Sequence, residues 1–147
     1  MEIRRATFKE VQKIRKHALS VLKESTMDRV RPSIEKARHM TSASLDGSSY
    51  YLVYVEESEI KGWAAIGATF DFYTDKMVGI ITELYVFPEE RRKGIAKKLC
   101  RQSCNHLQNK GFQKVQLNVF AGNDAIKLYE KLGFYEVSRL LEKKLHD

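Results

Sequence analysis

The sequence predicts a single α/β domain built on a mixed sheet, with a strand–turn–helix crossover at its centre. Three observations lead to this fold class. Stretches rich in β-branched and aromatic residues have the length of strands, and stretches with helical spacing of apolar residues separate them. One nearly unbroken apolar run leads directly into a glycine-containing turn and a helix. The chain has 147 residues, which suits one domain covering residues 1–147.

The first part of the chain predicts a short strand followed by helices. Residues 2–6 have strand character, and Thr7 and Glu10 match a capping box that begins a helix over residues 8–24. Apolar residues recur at helical spacing along it: Val11, Ile14, Ala18, Leu19 and Leu22. A second, weaker helix is predicted to begin near Pro32, because proline suits the first position of a helix.

The rest of the chain alternates strands with two helices. Residues 50–56 and 60–70 predict an antiparallel hairpin, and the run 77–87 predicts a central strand buried on both faces. Helices that end at a glycine are predicted at 94–110 and 123–132. Further strands are predicted at 115–119, 134–138 and 140–145. The predicted order is therefore β-α-α-β-β-β-α-β-α-β-β.

The charge of the chain indicates an anionic partner. The formal net charge is +7, which favours nucleic acid, anionic lipid or a phosphate-rich cofactor. Lysine and arginine are spread along the chain, however, and the aromatic residues follow strand patterns instead of interleaving with a basic patch. The sequence contains no recognisable helix-turn-helix, zinc or RNA-binding motif. We therefore do not expect nucleic acid to be the primary partner.

Membrane and metal partners are also not expected. No apolar run approaches the roughly 20 residues that span a bilayer, and the N-terminal residues lack the apolar stretch of a signal peptide. We therefore expect a cytoplasmic protein. Cys100 and Cys104 lie four residues apart in a predicted helix, but a zinc site needs further ligands at matching spacing. These two cysteines are interpreted as reduced thiols beside the core.

The turn that follows the central strand has the properties of an anion site. It begins the helix 94–110, and the first amides of a helix are unpaired and lie at the positive end of its dipole. Gly94 lets an anion approach the backbone closely. Five cations surround the turn: Arg91, Arg92, Lys93, Lys97 and Lys98. The alternative is a solvated basic helix start in which Gly94 is only a turn residue.

Two segments resemble motifs of the GNAT N-acetyltransferase superfamily. Residues 84–96 are similar to its acyl-CoA motif, in which R/Q-x-x-G-x-G/A follows a strand. Residues 123–134 resemble its second cofactor motif, N-x-x-A-x-x-x-Y-x-x-x-G-F, although the alanine here falls two residues after the asparagine. Residues 3–7 resemble the first strand of the family. The similarity thus covers essentially the whole chain, in order, and implies a GNAT-like fold.

This resemblance implies acetyl-CoA as co-substrate, with no metal. In the family the pyrophosphate rests on the amides of the turn, and the pantetheine arm pairs with the central strand at a bulge that separates it from its neighbour. Carried over to this sequence, the implied acetyl-CoA-binding residues are Leu84, Val86, Arg91, Arg92, Lys93, Gly94, Ile95, Ala96 and Asn123. Asn123 also suits a helix cap.

Two side chains are candidates for proton transfer. Tyr129 matches the family tyrosine that acts as general acid for the departing thiolate, although it also suits packing within its helix. Glu83 is the candidate general base, because a carboxylate inside an apolar strand has to face a cleft or be paired. Burial would raise its pKa toward a useful range. The alternatives for Glu83 are an ion pair with a basic neighbour and simple attraction of a cationic substrate.

The resemblance implies an acetyl-CoA-dependent N-acetyltransferase that acts on a primary amine, either a small molecule or a peptide. The alternative function is a non-catalytic acyl-CoA sensor or regulatory domain of the same fold. The identity of the amine does not follow from the sequence, and the chain can act alone or as a homodimer. Both points stay open at the level of the sequence.

Overall fold

The computed structural model describes residues 1–27, 29, 33 and 49–146. Within these residues five strands form one sheet in the order β1-β2-β3-β4-β5. The strands are β1 (Glu2–Arg5), β2 (Tyr50–Glu56), β3 (Glu59–Asp71), β4 (Lys76–Val86) and β5 (Val115–Leu117). Neighbouring strands are antiparallel except β4 and β5, which are parallel. The predicted mixed sheet with a central crossover is thereby confirmed.

Helices cover both faces of the sheet. They are α1 (Phe8–Arg15), α2 (Ala18–Ser25), α3 (Ile95–Asn109) and α4 (Ala125–Lys131), and a 3₁₀ turn spans Pro88–Glu90. The crossover from β4 to the parallel strand β5 runs through α3, as expected for a βαβ connection. In the part of the chain that the structure describes, no helix has both the length and the apolar character needed to cross a membrane.

The core consists of two layers separated by the sheet. On one face, residues of α1 and α2 pack on alternate positions of β2, β3 and β4: Ile14, Val21, Tyr51, Val53, Trp63, Ala65 and Tyr85. On the other face, α3 and α4 pack on the intervening positions, and the members include Leu52, Ala64, Ile66, Ile81, Cys100 and Leu107. This alternation follows from the period of two along each strand. The strand β4 thus runs between two helical layers.

The predicted helix over residues 8–24 is interrupted. Its capping box is confirmed, since Thr7 Oγ1 accepts from the amide of Glu10 at 3.3 Å and Glu10 Oε1 accepts from the amide of Thr7 at 2.8 Å. The helix nevertheless ends at Arg15, and α2 begins at Ala18. At the break the ring of His17 packs on aromatic side chains of the sheet. Tertiary contact therefore prevails over a continuous helical pattern.

The last two predicted strands are wrong. Residues 134–138 and 140–145 have no strand conformation in the structure, and β5 is shorter than predicted. A strand needs an edge with which to pair, and β5 offers three residues. Apolar side chains in this segment are consequently exposed, for example Val137 and Leu140 at 72% and 98%. The weaker helix predicted near Pro32 lies outside the described residues.

Candidate functional site

The centre of β4 carries a β-bulge next to its only acidic residue. Ala65 of β3 pairs with Glu83, whereas Ile66 pairs with Ile81, so Thr82 is the extra residue. The Thr82 hydroxyl donates to the carbonyl of Ala65 at 3.3 Å. A bulge bends the strand and re-aims the side chains beside it. The bulge implied by the family resemblance is therefore present, one residue before the candidate base.

The sheet opens on the β5 side of the same strand. Among the described residues, the pairing of β4 with β5 extends over Gly79, Ile80 and Ile81 and stops at the bulge. The following part of β4, which contains Leu84 and Val86, has left this neighbour, while its other edge stays paired with β3. The described chain after β5 has no strand conformation and no register with β4. The outcome is an open strand edge leading toward the start of α3.

The turn between β4 and α3 has an unusual backbone. Arg92 and Gly94 both adopt a left-handed conformation, with φ of 64° and 80°. Gly94 is the N-cap of α3, and no side chain of the described residues caps the first amides of that helix. A β-carbon at Gly94 would meet no atom within 4 Å, so space is open above the turn. Turns of this kind point successive amides at one place and bind anions.

Two of the five cations at this turn are engaged with carboxylates. The guanidinium of Arg91 pairs with Glu24 of α2 at 2.5 Å, and its Nε donates to the carbonyl of Val86 at 2.9 Å. Lys93 pairs with Glu90 at 2.9 Å. The side chain of Arg91 therefore joins the turn to α2. Arg92, Lys97 and Lys98 contribute positive charge to the exposed surface of the turn.

Glu83 is held by a side chain that the sequence argument did not single out. The indole Nε1 of Trp63 donates to Glu83 Oε2 at 2.6 Å. Burial raises the pKa of the Glu83 carboxyl above its usual range, and the hydrogen bond from Trp63 opposes that rise in part. No ion pair involves Glu83 among the described residues, so the structure does not support the ion-pair alternative.

Trp63 also belongs to an aromatic cluster that connects Glu83 to α1 and α2. Its ring centroid lies 4.9 Å from that of Tyr85, 5.4 Å from that of Phe87 and 6.0 Å from that of His17. Trp63 is fully buried, whereas His17 and Phe87 are half-buried. Trp63 on β3 and Glu83 on β4 are diagonal neighbours in an antiparallel pair of strands. Large side chains reach diagonal neighbours, so the register of the two strands could have indicated this contact.

Tyr129 lies in α4, packed against the β5 side of the sheet. It belongs to the apolar cluster that contains Cys100, and its ring makes an edge contact with Phe134 at 5.8 Å. Burial, with a smaller contribution from Cys100, raises the pKa of Tyr129 to about 12. Within the described part of the chain its hydroxyl makes no hydrogen bond. Tyr129 is thus a protonated hydroxyl with its donor unused.

Asn123 caps the helix that carries Tyr129. Its Oδ1 accepts from the amide of Ala125 at 2.9 Å, so the capping interpretation is confirmed. Gly133 ends the same helix with φ of 97°. These two ends fix the short helix and therefore the position of Tyr129 beside α3. A role of Asn123 in binding acetyl-CoA stays a prediction.

The comparisons identify the family. The family model described as "Acetyltransferase (GNAT) family" matches residues 9–134, and the chain therefore belongs to this family. N-alpha-acetyltransferase 30 of Schizosaccharomyces pombe is 38% identical over 63 residues, which are 42% of this chain and 42% of that protein. The uncharacterized N-acetyltransferase YjgM of Escherichia coli K12 is 31% identical over 99 residues, 67% of this chain and 58% of that protein. The chain thus spans about two fifths to three fifths of these curated relatives.

Solved structures share the fold over nearly the whole chain. A protein from Pyrococcus furiosus, assigned as an acetyl transferase, has a TM-score of 0.83 at 23% identity and covers 98% of this chain and 99% of its own. A protein from Clostridium acetobutylicum, assigned as an acetyltransferase and solved with acetyl-CoA, has a TM-score of 0.75 at 22% identity, with coverages of 98% and 96%. At these identities the likeness concerns the fold, which it confirms.

The ion pair between Arg91 and Glu24 gives a first testable expectation. We expect Glu24→Gln to lower the free energy of unfolding by no more than about 1 kcal/mol, because both side chains are partly exposed to water. Urea denaturation at low and high salt measures this, and the loss should shrink as salt is added. Glu56→Gln, at an exposed carboxylate in β2, is the matched control. A larger loss that is insensitive to salt would contradict this assignment.

Proposed function

We propose that this protein is an acetyl-CoA-dependent N-acetyltransferase that transfers the acetyl group to a primary amine of a small molecule or peptide. One observation carries the proposal. The pairing of β4 with β5 ends at Ile81, and the freed edge of β4 leads into the left-handed turn at Arg92 and Gly94. An extended pantetheine arm and a pyrophosphate require such a strand edge followed by an anion site. The Clostridium acetobutylicum protein that was solved with acetyl-CoA shares this fold.

Glu83 serves as the general base in this proposal. An alkyl ammonium has a pKa of about 10.4, so the attacking amine has to lose a proton near neutral pH. The raised pKa of Glu83 makes its carboxylate a stronger proton acceptor than an exposed one. Trp63 fixes the carboxylate through Oε2, which leaves Oε1 to receive the proton. The bulge at Thr82 re-aims the strand at this position.

Tyr129 serves as the general acid, and a backbone amide serves as the donor to the oxyanion. The thiolate of the departing coenzyme needs a proton, and a tyrosine with a pKa of about 12 is fully protonated at neutral pH. Its unused hydroxyl can therefore donate. A backbone amide of β4 near Val86 is the donor that we assign to the developing oxyanion, since this part of the strand has left β5.

A panel of amines tests the proposal directly. The full chain is incubated with acetyl-CoA and with polyamines, aminoglycosides or short peptides, and acetylated products are detected by mass spectrometry. We expect at least one primary amine to gain an acetyl group at a rate that depends on enzyme concentration. Calorimetry with acetyl-CoA accompanies the assay. Tight binding of acetyl-CoA without any acetylated amine would overturn the proposal and favour the sensor alternative.

The acid limb of the pH profile tests the role of Glu83. A base has to be deprotonated, so a raised pKa moves the loss of activity on acidification to a higher pH than the value of about 4.3 for an ordinary glutamate. We expect Glu83→Gln to lower kcat/KM by about 10²-fold or more near neutral pH and to remove this limb. Glu89→Gln, at an exposed neighbour of the turn, is the control. An unchanged limb in Glu83→Gln would exclude Glu83 as the base.

A further inference from the structure

A cleft lies between α3 and α4, away from Glu83 and the β4 edge. It has a volume of about 390 Å³. Cys100, Arg101, Cys104 and Asn105 line it from α3, and Lys131 and Leu132 line it from the end of α4. The cleft therefore brings two cysteines and two cationic side chains close together. Neither the proposed proton transfers nor the turn at Gly94 uses these thiols.

The two thiols of the cleft differ in accessibility and in proton affinity. Cys100 is fully buried, whereas Cys104, one helical turn later, is half-buried and reaches the cleft. The neighbouring thiol of Cys100 favours the thiolate of Cys104 and lowers the pKa of Cys104, against the opposing effect of burial. The same interaction and burial raise the pKa of Cys100. Cys104 is the reactive member of the pair because its side chain is partly exposed, whereas Cys100 is closed off from solvent.

The charges around Cys104 select the kind of reagent. Arg101 and Lys131 are exposed cations on opposite walls of the cleft, and the other lining residues are neutral. Cations beside a thiolate concentrate anionic reagents and raise their rate of encounter.

We propose that the cleft between α3 and α4 is a modification site at which Cys104 exchanges with small anionic disulfides. The Cys104 thiolate attacks one sulfur of the disulfide, a new sulfur–sulfur bond forms as the old one breaks, and the second half leaves as a thiolate that takes a proton from water. Cys104 is oxidised to a mixed disulfide and the leaving half is reduced. The disulfide is itself the oxidant, and a free thiol reverses the reaction.

The mixed disulfide has a consequence for the reaction at Tyr129, and this consequence rests on the proposed function. Tyr129, Leu132 and Cys104 pack in one apolar cluster around the buried Cys100. A charged group attached at Cys104 enters the space between α3 and α4 and displaces the helix that carries Tyr129. We therefore expect the modified protein to lose turnover, and a reducing thiol to restore it.

Labelling of the native full chain tests the site without reference to any activity. The probes are the dianionic disulfide of nitrothiobenzoate and the neutral dipyridyl disulfide, and intact mass and peptide mapping report the adduct. We expect one adduct on the native protein, located at Cys104, and a second at Cys100 only after denaturation. Cys104→Ser should lose the native adduct, whereas Cys100→Ser should keep it.

A charge variant tests the selection of anionic reagents. Arg101→Gln combined with Lys131→Gln should slow the dianionic reagent by about tenfold or more relative to the neutral one. Absence of labelling under native conditions, labelling at Cys100 first, or an unchanged ratio of the two rates would each overturn the proposal. These measurements test the modification site at Cys104 even if the protein acetylates no amine.

Acetyl transfer by the modified protein tests the coupling to Tyr129. Turnover should fall on modification, return after reduction and stay constant in Cys104→Ser treated in the same way. A stoichiometric adduct at Cys104 with unchanged turnover would overturn the coupling.

Discussion

Replacement of Tyr129 by phenylalanine is expected to lower turnover by about 10²–10⁴-fold, which is the usual contribution of a positioned proton donor. The ring stays in its cluster with Phe134, and only the hydroxyl is lost. Since that hydroxyl makes no hydrogen bond within the described residues, its removal should leave stability nearly unchanged. The affinity for acetyl-CoA should also change little, so the loss should appear in kcat.

The measurement is steady-state kinetics at saturating acetyl-CoA and amine, with calorimetry for the affinity. Tyr135→Phe is the matched control, because it removes the same group from a side chain that is 77% exposed beyond α4. Equal turnover of Tyr129→Phe and the parent would remove the acid role. A lower affinity for acetyl-CoA at unchanged kcat would instead indicate a contribution to binding alone.

The centre of the fold follows from local sequence signals. The apolar run of β4, the glycine at the start of α3 and the capping box at Thr7 each act within a few residues, and the structure confirms all three. Glu83 was expected to face a cleft or find a partner, since an unpaired carboxylate in a strand is costly. Its partner is the neutral indole of Trp63, which lies on β3 diagonally opposite Glu83 on β4. This partner can be identified only once the register of β3 and β4 is known.

Features that depend on distant partners were not predictable from local patterns. The apolar residues keep their helical spacing across the break at His17, so the sequence pattern does not reveal the break. At the break the ring of His17 contacts Trp63 and Phe87, which lie far away in the sequence. The hydrogen bond from Arg91 to Glu24 joins residues that lie 67 positions apart in the sequence. It holds the side chain of Arg91, which was expected to bind the cofactor, against α2. Likewise, residues 134–138 and 140–145 were predicted as strands, but pairing needs an edge longer than β5 provides.

The second large effect is expected at Trp63, where stability and the state of Glu83 depend on one side chain. Trp63 is fully buried and packs on Tyr85 and Phe87. We expect Trp63→Ala to lower the free energy of unfolding by about 3–5 kcal/mol, because a large cavity opens at the centre of the sheet. Chemical denaturation measures this loss. Phe70→Ala, at a side chain that is 40% exposed in the same strand, should cost much less.

Trp63→Phe separates the two roles of the indole. Phenylalanine keeps most of the aromatic packing but removes the donor to Glu83 Oε2. Because that hydrogen bond lowers the pKa of Glu83, its loss should raise the pKa further and move the acid limb of kcat/KM to higher pH. Glu83→Gln in the Trp63→Phe background should then show no such limb. An acid limb at the same pH in Trp63→Phe and the parent would mean that the indole does not control the protonation of Glu83.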